Sequence, residues 1–139
     1  MGWQTHRGKA VLVHILTLMT YVSAYFFPFP PPPGASVTFV VASAVSLVFA
    51  FMAVTLAMQN RYDGMPWAAT HHEQAIRTLI IGFVLWTVAS ALLFINSALG
   101  IVTLVVHIAV ILWAVLRSLV GIVLALMRKP TLNARGWLL

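Results

Sequence analysis

Five histidines, eight lysines and arginines and two acids are the side chains through which this sequence could do acid–base or ligand chemistry. Cysteine is absent, which excludes a thiol nucleophile, a thiolate metal site and a disulfide. Two imidazoles on facing helices can hold a haem iron between them, so His14 and His107 are the candidate cofactor ligands. Their depths argue against that use. His14 falls about 8 Å from one end of its apolar run and His107 about 12 Å from the opposite end, at a rise of about 1.5 Å per residue. Across a hydrocarbon core about 30 Å thick, they stand roughly 10 Å apart in depth, too far for one iron. His71 and His72 are adjacent, and on a helix their side chains diverge by about 100°. Neither a metal nor a cofactor is expected.

General acid–base catalysis needs a positioned carboxylate or a base with an orienting partner. Here Asp63 and Glu73 share one polar segment, and no apolar run contains an acid as a proton relay would. A nucleophile elbow, a P-loop and a glycine-rich dinucleotide turn are missing from the sequence. The expectation is therefore a protein that is not an enzyme. Arg117 stands out instead, because an arginine inside a membrane costs at least about 2.5 kcal/mol. It must snorkel to the headgroups or find an acid. Pairing with Glu73, at the start of the preceding helix, is the expected solution.

The elements that carry these residues follow from composition. The chain has 139 residues, 62% hydrophobic and 7% charged, with a mean hydropathy of +1.01. Soluble domains carry roughly 25% charged residues, so most of this surface must face lipid. The net charge of +6 does not indicate nucleic acid, because the basic residues sit in short flanks beside apolar runs. Apolar runs predict four membrane helices near residues 9–27, 37–58, 71–95 and 99–127 in a single domain, 1–139. The first run also resembles a secretory leader, with Arg7 and Lys9 before it and Val22-Ser23-Ala24 near its end; it is read as the first span. Five prolines between Pro28 and Pro33 then stop the helix and form a stiff connector. Thr70 with Glu73 fits a capping box that starts the third helix, and Asn96-Ser97 marks a tight turn.

With four spans, Arg7, Lys9, Arg61, Arg77, Arg128, Lys129 and Arg135 all fall on one side, and the proline connector and the Asn96 turn carry no charge. The positive-inside rule makes that side cytoplasmic, with both termini inside a bacterial inner membrane. Trp3, Trp67 and Trp137 suit an interfacial belt on it, while Trp86 and Trp113 fall mid-span as space fillers. Small residues should close the bundle: Ala42, Ser46, Ala50, Ala53 and Ala57 on the second helix, Ala114, Ser118, Gly121 and Ala125 on the fourth. His14, Thr17, Tyr21 and Tyr25 make a polar stripe on the first. The predicted fold class is an all-α integral membrane four-helix bundle.

Two stretches resemble a known family. Thr70-His71-His72-Glu73-Gln74-Ala75-Ile76-Arg77-Thr78 is similar to a His, aromatic or Glu, any residue, Gln, Ile-Arg-Thr helix entry. Arg117-Ser118-Leu119-Val120-Gly121, Arg128-Lys129-Pro130 and Gly136-Trp137-Leu138-Leu139 resemble the final helix and tail of the same family. These are small bacterial membrane proteins related to the four-helix Tic subunit of the chloroplast inner-envelope translocon. The likeness spans about residues 65–139; Asn133-Ala134 replaces the usual Asn-Pro, and Leu79 replaces an aromatic. It implies a four-helix bundle and singles out His72, Arg77, Arg117 and Gly121.

Three functions compete at this point: a non-catalytic accessory or assembly subunit of a larger inner-membrane complex, a component of a translocation channel, and a haem- or quinone-binding subunit. The expected partners are the lipid bilayer and other integral membrane subunits, and no nucleic acid.

Overall fold

Four helices run back and forth: α1 (His6–Phe26), α2 (Val37–Asn60), α3 (Pro66–Ile95) and α4 (Gly100–Leu126), with a single 3-10 turn, Ser97–Leu99, before the last. The computed structural model describes residues 5–62 and 64–136. Trp3, Asp63 and Trp137, placed above on the charged flanks, lie outside the described residues. Each helix is long and apolar enough to cross a membrane, so the protein is an all-α, multi-pass membrane protein with four candidate spans. One end of the bundle carries the helix termini rich in Lys and Arg, hereafter the charged end. The other carries the proline connector.

Local chemistry sets the helix ends. Thr5 caps α1 by accepting the amide of Gly8 at 3.1 Å, so the helix begins before the expected residue 9. Ser36 caps α2 through the amide of Phe39 at 3.2 Å. The third helix departs most from expectation, starting at Pro66 instead of His71. Proline is favoured in a first turn because it lacks only an amide that has no helical partner there. Thr70 is thus inside the helix, and its hydroxyl donates to the Trp67 carbonyl at 2.7 Å; the capping box is not formed. Past α4, Arg128 takes a left-handed conformation (φ 55°), and the Lys129 amide donates back to the Leu124 carbonyl at 2.9 Å. That is a Schellman-type ending with arginine where glycine is usual.

The bundle is polar inside and apolar outside. α1 is the least apolar of the four helices and the most buried, 39% of its span against 17–22% for the others. It packs against all three. The reason is the solvent: lipid solvates leucine as well as a protein core does, whereas a hydroxyl or imidazole needs a partner. Accordingly His14, Thr17 and Tyr21 are buried while Phe51, Phe83, Ile101 and Leu104 face outward. Tyr25, expected on the same polar stripe, is exposed at 61%.

Along the bundle, Ala10, Val11 and Ala125 close α1 against α4 near the charged end. Val13, Ala57, Ala75 and Ile76 form the next layer. The middle is filled by Leu16, Tyr21, Ala53, Leu79, Val110 and Ala114. On α2 the buried residues are Ser43, Ser46, Ala53, Ala57 and Asn60; of the expected face Ser46, Ala53 and Ala57 are among them, and Ala42 and Ala50 are half-buried. On α4, Ala114, Ser118 and Gly121 are buried.

Candidate functional site

The polar groups of the interior gather toward the charged end. His14 on α1 and His71 on α3 meet through Nε2 and Nδ1 at 2.9 Å, and His71 Nε2 lies 2.8 Å from the Lys129 carbonyl. A carbonyl only accepts, so Nε2 of His71 donates; with both rings neutral, His71 Nδ1 then accepts from His14 Nε2. The protons thus point along one line, from α1 through α3 to the segment after α4. Gly121 makes the room for it: a Cβ there would run into the His14 ring. His72, singled out by the resemblance, is fully buried beside this pair.

Arg117 is 1% exposed, and the expected pair with Glu73 is not formed. Glu73 is taken by two nearer arginines, with Arg61 Nε at 2.8 Å from one carboxylate oxygen and Arg77 Nε at 2.9 Å from the other. Arg77 wins by position, one helical turn from Glu73 on the same helix. Arg117 instead donates from Nη2 to the Gly136 carbonyl at 3.1 Å and lies 5.5 Å from the centre of the Trp113 ring. A backbone oxygen and an aromatic face are both favourable partners for a guanidinium held away from water.

Both arrangements rest on a segment that the sequence did not place, residues 128–136. Turned by Arg128, it folds back over the charged end. There the Thr131 amide donates to the Thr70 hydroxyl at 3.0 Å, Arg77 donates to the Arg135 carbonyl at 3.2 Å, and His71 and Arg117 hold the carbonyls already named. Thr70, His71, Arg77 and Arg117 therefore act together as a clasp on the tail. Lys9 Nζ, donating to Asn60 Oδ1 at 2.9 Å, ties α1 to α2 at the same end. Between α2, α3 and the tail a cavity of about 500 Å³ remains, lined by Arg61, Tyr62, Thr70, Glu73, Arg77 and Arg135.

His107 belongs to a separate cluster on the proline side. Its ring stacks on Trp86, with centroids 3.8 Å apart and planes at 6°, and its Nε2 lies 3.1 Å from the Ser90 hydroxyl and 3.3 Å from the Trp86 carbonyl. Trp86, expected only to fill space, also donates from Nε1 to the Phe29 carbonyl at 2.8 Å and so fastens the proline connector to α3. His14 and His107 are thus occupied by different partners on different helices.

No protein-family model, curated protein or solved structure matches the chain.

Proposed function

We propose that the protein is a non-catalytic accessory or assembly subunit of a larger inner-membrane complex, with its charged end and both termini cytoplasmic. The observation that carries this reading is the clasped tail. Four side chains from two helices, Thr70, His71, Arg77 and Arg117, are committed to holding residues 129–136 in one conformation. Ordering a terminal segment is opposed by about 1–2 kcal/mol of backbone entropy per residue, and a fixed shape there suits a docking surface. The interior polar groups knit the helices to one another, which suits a scaffold better than a reaction centre. The gathering of Lys9, Arg61, Arg77 and Arg135 at one end supports the orientation.

The likeness of residues 65–139 to the Tic-related family favours a second reading, a translocation component. Ala53 and Ala114 close the middle of the bundle, so passage of a solute would have to run between copies. A haem role fits less well, since His14 and His107 are each already held by other groups.

Purification from native membranes in a mild detergent, with mass spectrometry of what co-elutes, tests the leading reading. Defined membrane subunits in fixed ratio are expected, and fewer of them for a chain ending at Met127. Recovery of the protein alone after in-membrane crosslinking would sink it. Conductance from purified protein in vesicles would favour the second reading.

A further inference from the structure

The seam between α2 and α3 has two compartments in register. At the charged end is the cavity of about 500 Å³ bordered by Arg61, Arg77 and Arg135. Further along the same two helices is a groove of about 640 Å³, whose floor includes Ser46, Ala50, Leu79 and Gly82 and whose rim includes Phe51 and Phe83. The two are close. Arg77 and Ile80 are neighbours on one face of α3, and Val54 is about 10 Å along α2 from Arg61. Phe51 and Phe83 are 73% and 61% exposed, so the groove opens sideways into the bilayer.

Charge and polarity differ sharply between the two. Among the described residues, three arginines and one carboxylate, Glu73, border the upper cavity. Glu73 engages only the Nε of Arg61 and the Nε of Arg77, and each guanidinium has five N–H groups in a planar fork suited to phosphate oxygens. The groove below offers almost wholly carbon. A ligand matching both compartments has an anionic head and a long apolar tail.

We propose that the α2–α3 seam is a binding site for an anionic glycerophospholipid, its phosphate among Arg61, Arg77 and Arg135 and one acyl chain in the groove. The tail contributes to the site through Arg135, so the clasp that orders residues 128–136 also completes the headgroup pocket. This inference stands apart from the accessory-subunit reading, since it requires only the bilayer.

The test is native mass spectrometry of the full-length protein in a neutral maltoside detergent. Phosphatidylglycerol and phosphatidylcholine with identical acyl chains are titrated in parallel. One phosphatidylglycerol should be retained at about fivefold lower concentration or less, the effect expected for each basic residue near an anionic headgroup. Arg135→Gln should bring the two lipids close to parity with unchanged circular dichroism and thermal unfolding, because only the backbone carbonyl of Arg135 is bonded by Arg77. Ala91→Phe, on the groove wall, should weaken retention of both lipids. Equal retention of the two lipids by the unaltered protein overturns the proposal, as does a preference that survives both Arg135→Gln and Arg61→Gln. Displacement of phosphatidylglycerol by glycerophosphate at equal concentration would make the site one for a soluble anion. A dimer abolished by Ala91→Phe, with lipid retention unaffected, would assign the groove to a second copy.

Discussion

At the scale of single residues, the charged end depends on close fits around a few polar side chains. His71 accepts one hydrogen bond from α1 and donates one to the tail, so His71→Phe keeps the ring volume and removes both. Stability should fall by about 2 kcal/mol, read as a lower denaturant midpoint, and proteolysis after Leu126 should accelerate. Gly121→Ala places a methyl group against the His14 ring and should destabilise by about 1–3 kcal/mol through overpacking; an unchanged midpoint would mean that the ring can move aside. Arg128 offers the opposite sign. Its φ of 55° is a conformation that glycine adopts freely, and Arg128→Gly should stabilise by about 0.4–1 kcal/mol in the same assay. Spacing alone put Gly121 and Arg117 on an inward face. It could not supply the partner of Arg117, because the Gly136 carbonyl reaches it only after the chain has reversed direction. An expectation built on the two acids of the sequence overlooked that a backbone carbonyl also satisfies a guanidinium.

At the scale of elements, hydropathy located all four spans, since long apolar runs have few other solutions in a chain with so little charge. Boundaries were less legible. Thr70 and Glu73 have the right spacing for a capping box, but Pro66 sits at a first-turn position and Trp67, Ala68 and Ala69 continue the helix without strain. The row buried on α2 shares Ser46, Ala53 and Ala57 with the one expected; Ala57 packs between α1 and α3, whereas Ala50 borders the groove. Trp86 shows what a length-based reading misses: a loop carbonyl, that of Phe29, needs a donor where water is scarce. Trp86→Phe keeps the stack on His107 and loses that donor. A cysteine at position 33 should then react faster with a soluble maleimide, by severalfold, as the connector lifts from α3. Equal rates would show that the connector is held by other contacts.

For the whole molecule, orientation is the property most open to measurement. In spheroplasts a cysteine at position 33 should react with an impermeant reagent, and one at position 132 should react only after the membrane is opened; the reverse pattern would invert the proposed topology. The global arrangement, with the least apolar helix the most buried of the four, was partly visible in the stripe of His14, Thr17 and Tyr21. Tyr25 lay outside it, exposed in the last turn of α1. What could not be read was the tail, whose residues 128–136 are neither apolar enough to signal a span nor periodic enough to signal a helix.

The burial of α1 has a consequence for biogenesis. Synthesis runs from the N-terminus, so α1 leaves the ribosome before the other three spans, with the weakest apolar signal of the four and with His14 and Tyr21 to be housed. The groups that house them come later: His71, whose ring meets that of His14, the Thr78 carbonyl that accepts from the Tyr21 hydroxyl at 2.7 Å, bare because Gly82 has no Cβ to obstruct it, and finally Gly121, which leaves room for the His14 ring. The first made of the four helices is the last to be satisfied. Until Gly121 emerges, α1 must be sheltered by the insertion machinery or wait at the membrane surface, and chains stalled before Gly121 should be the form most readily recognised as unfinished.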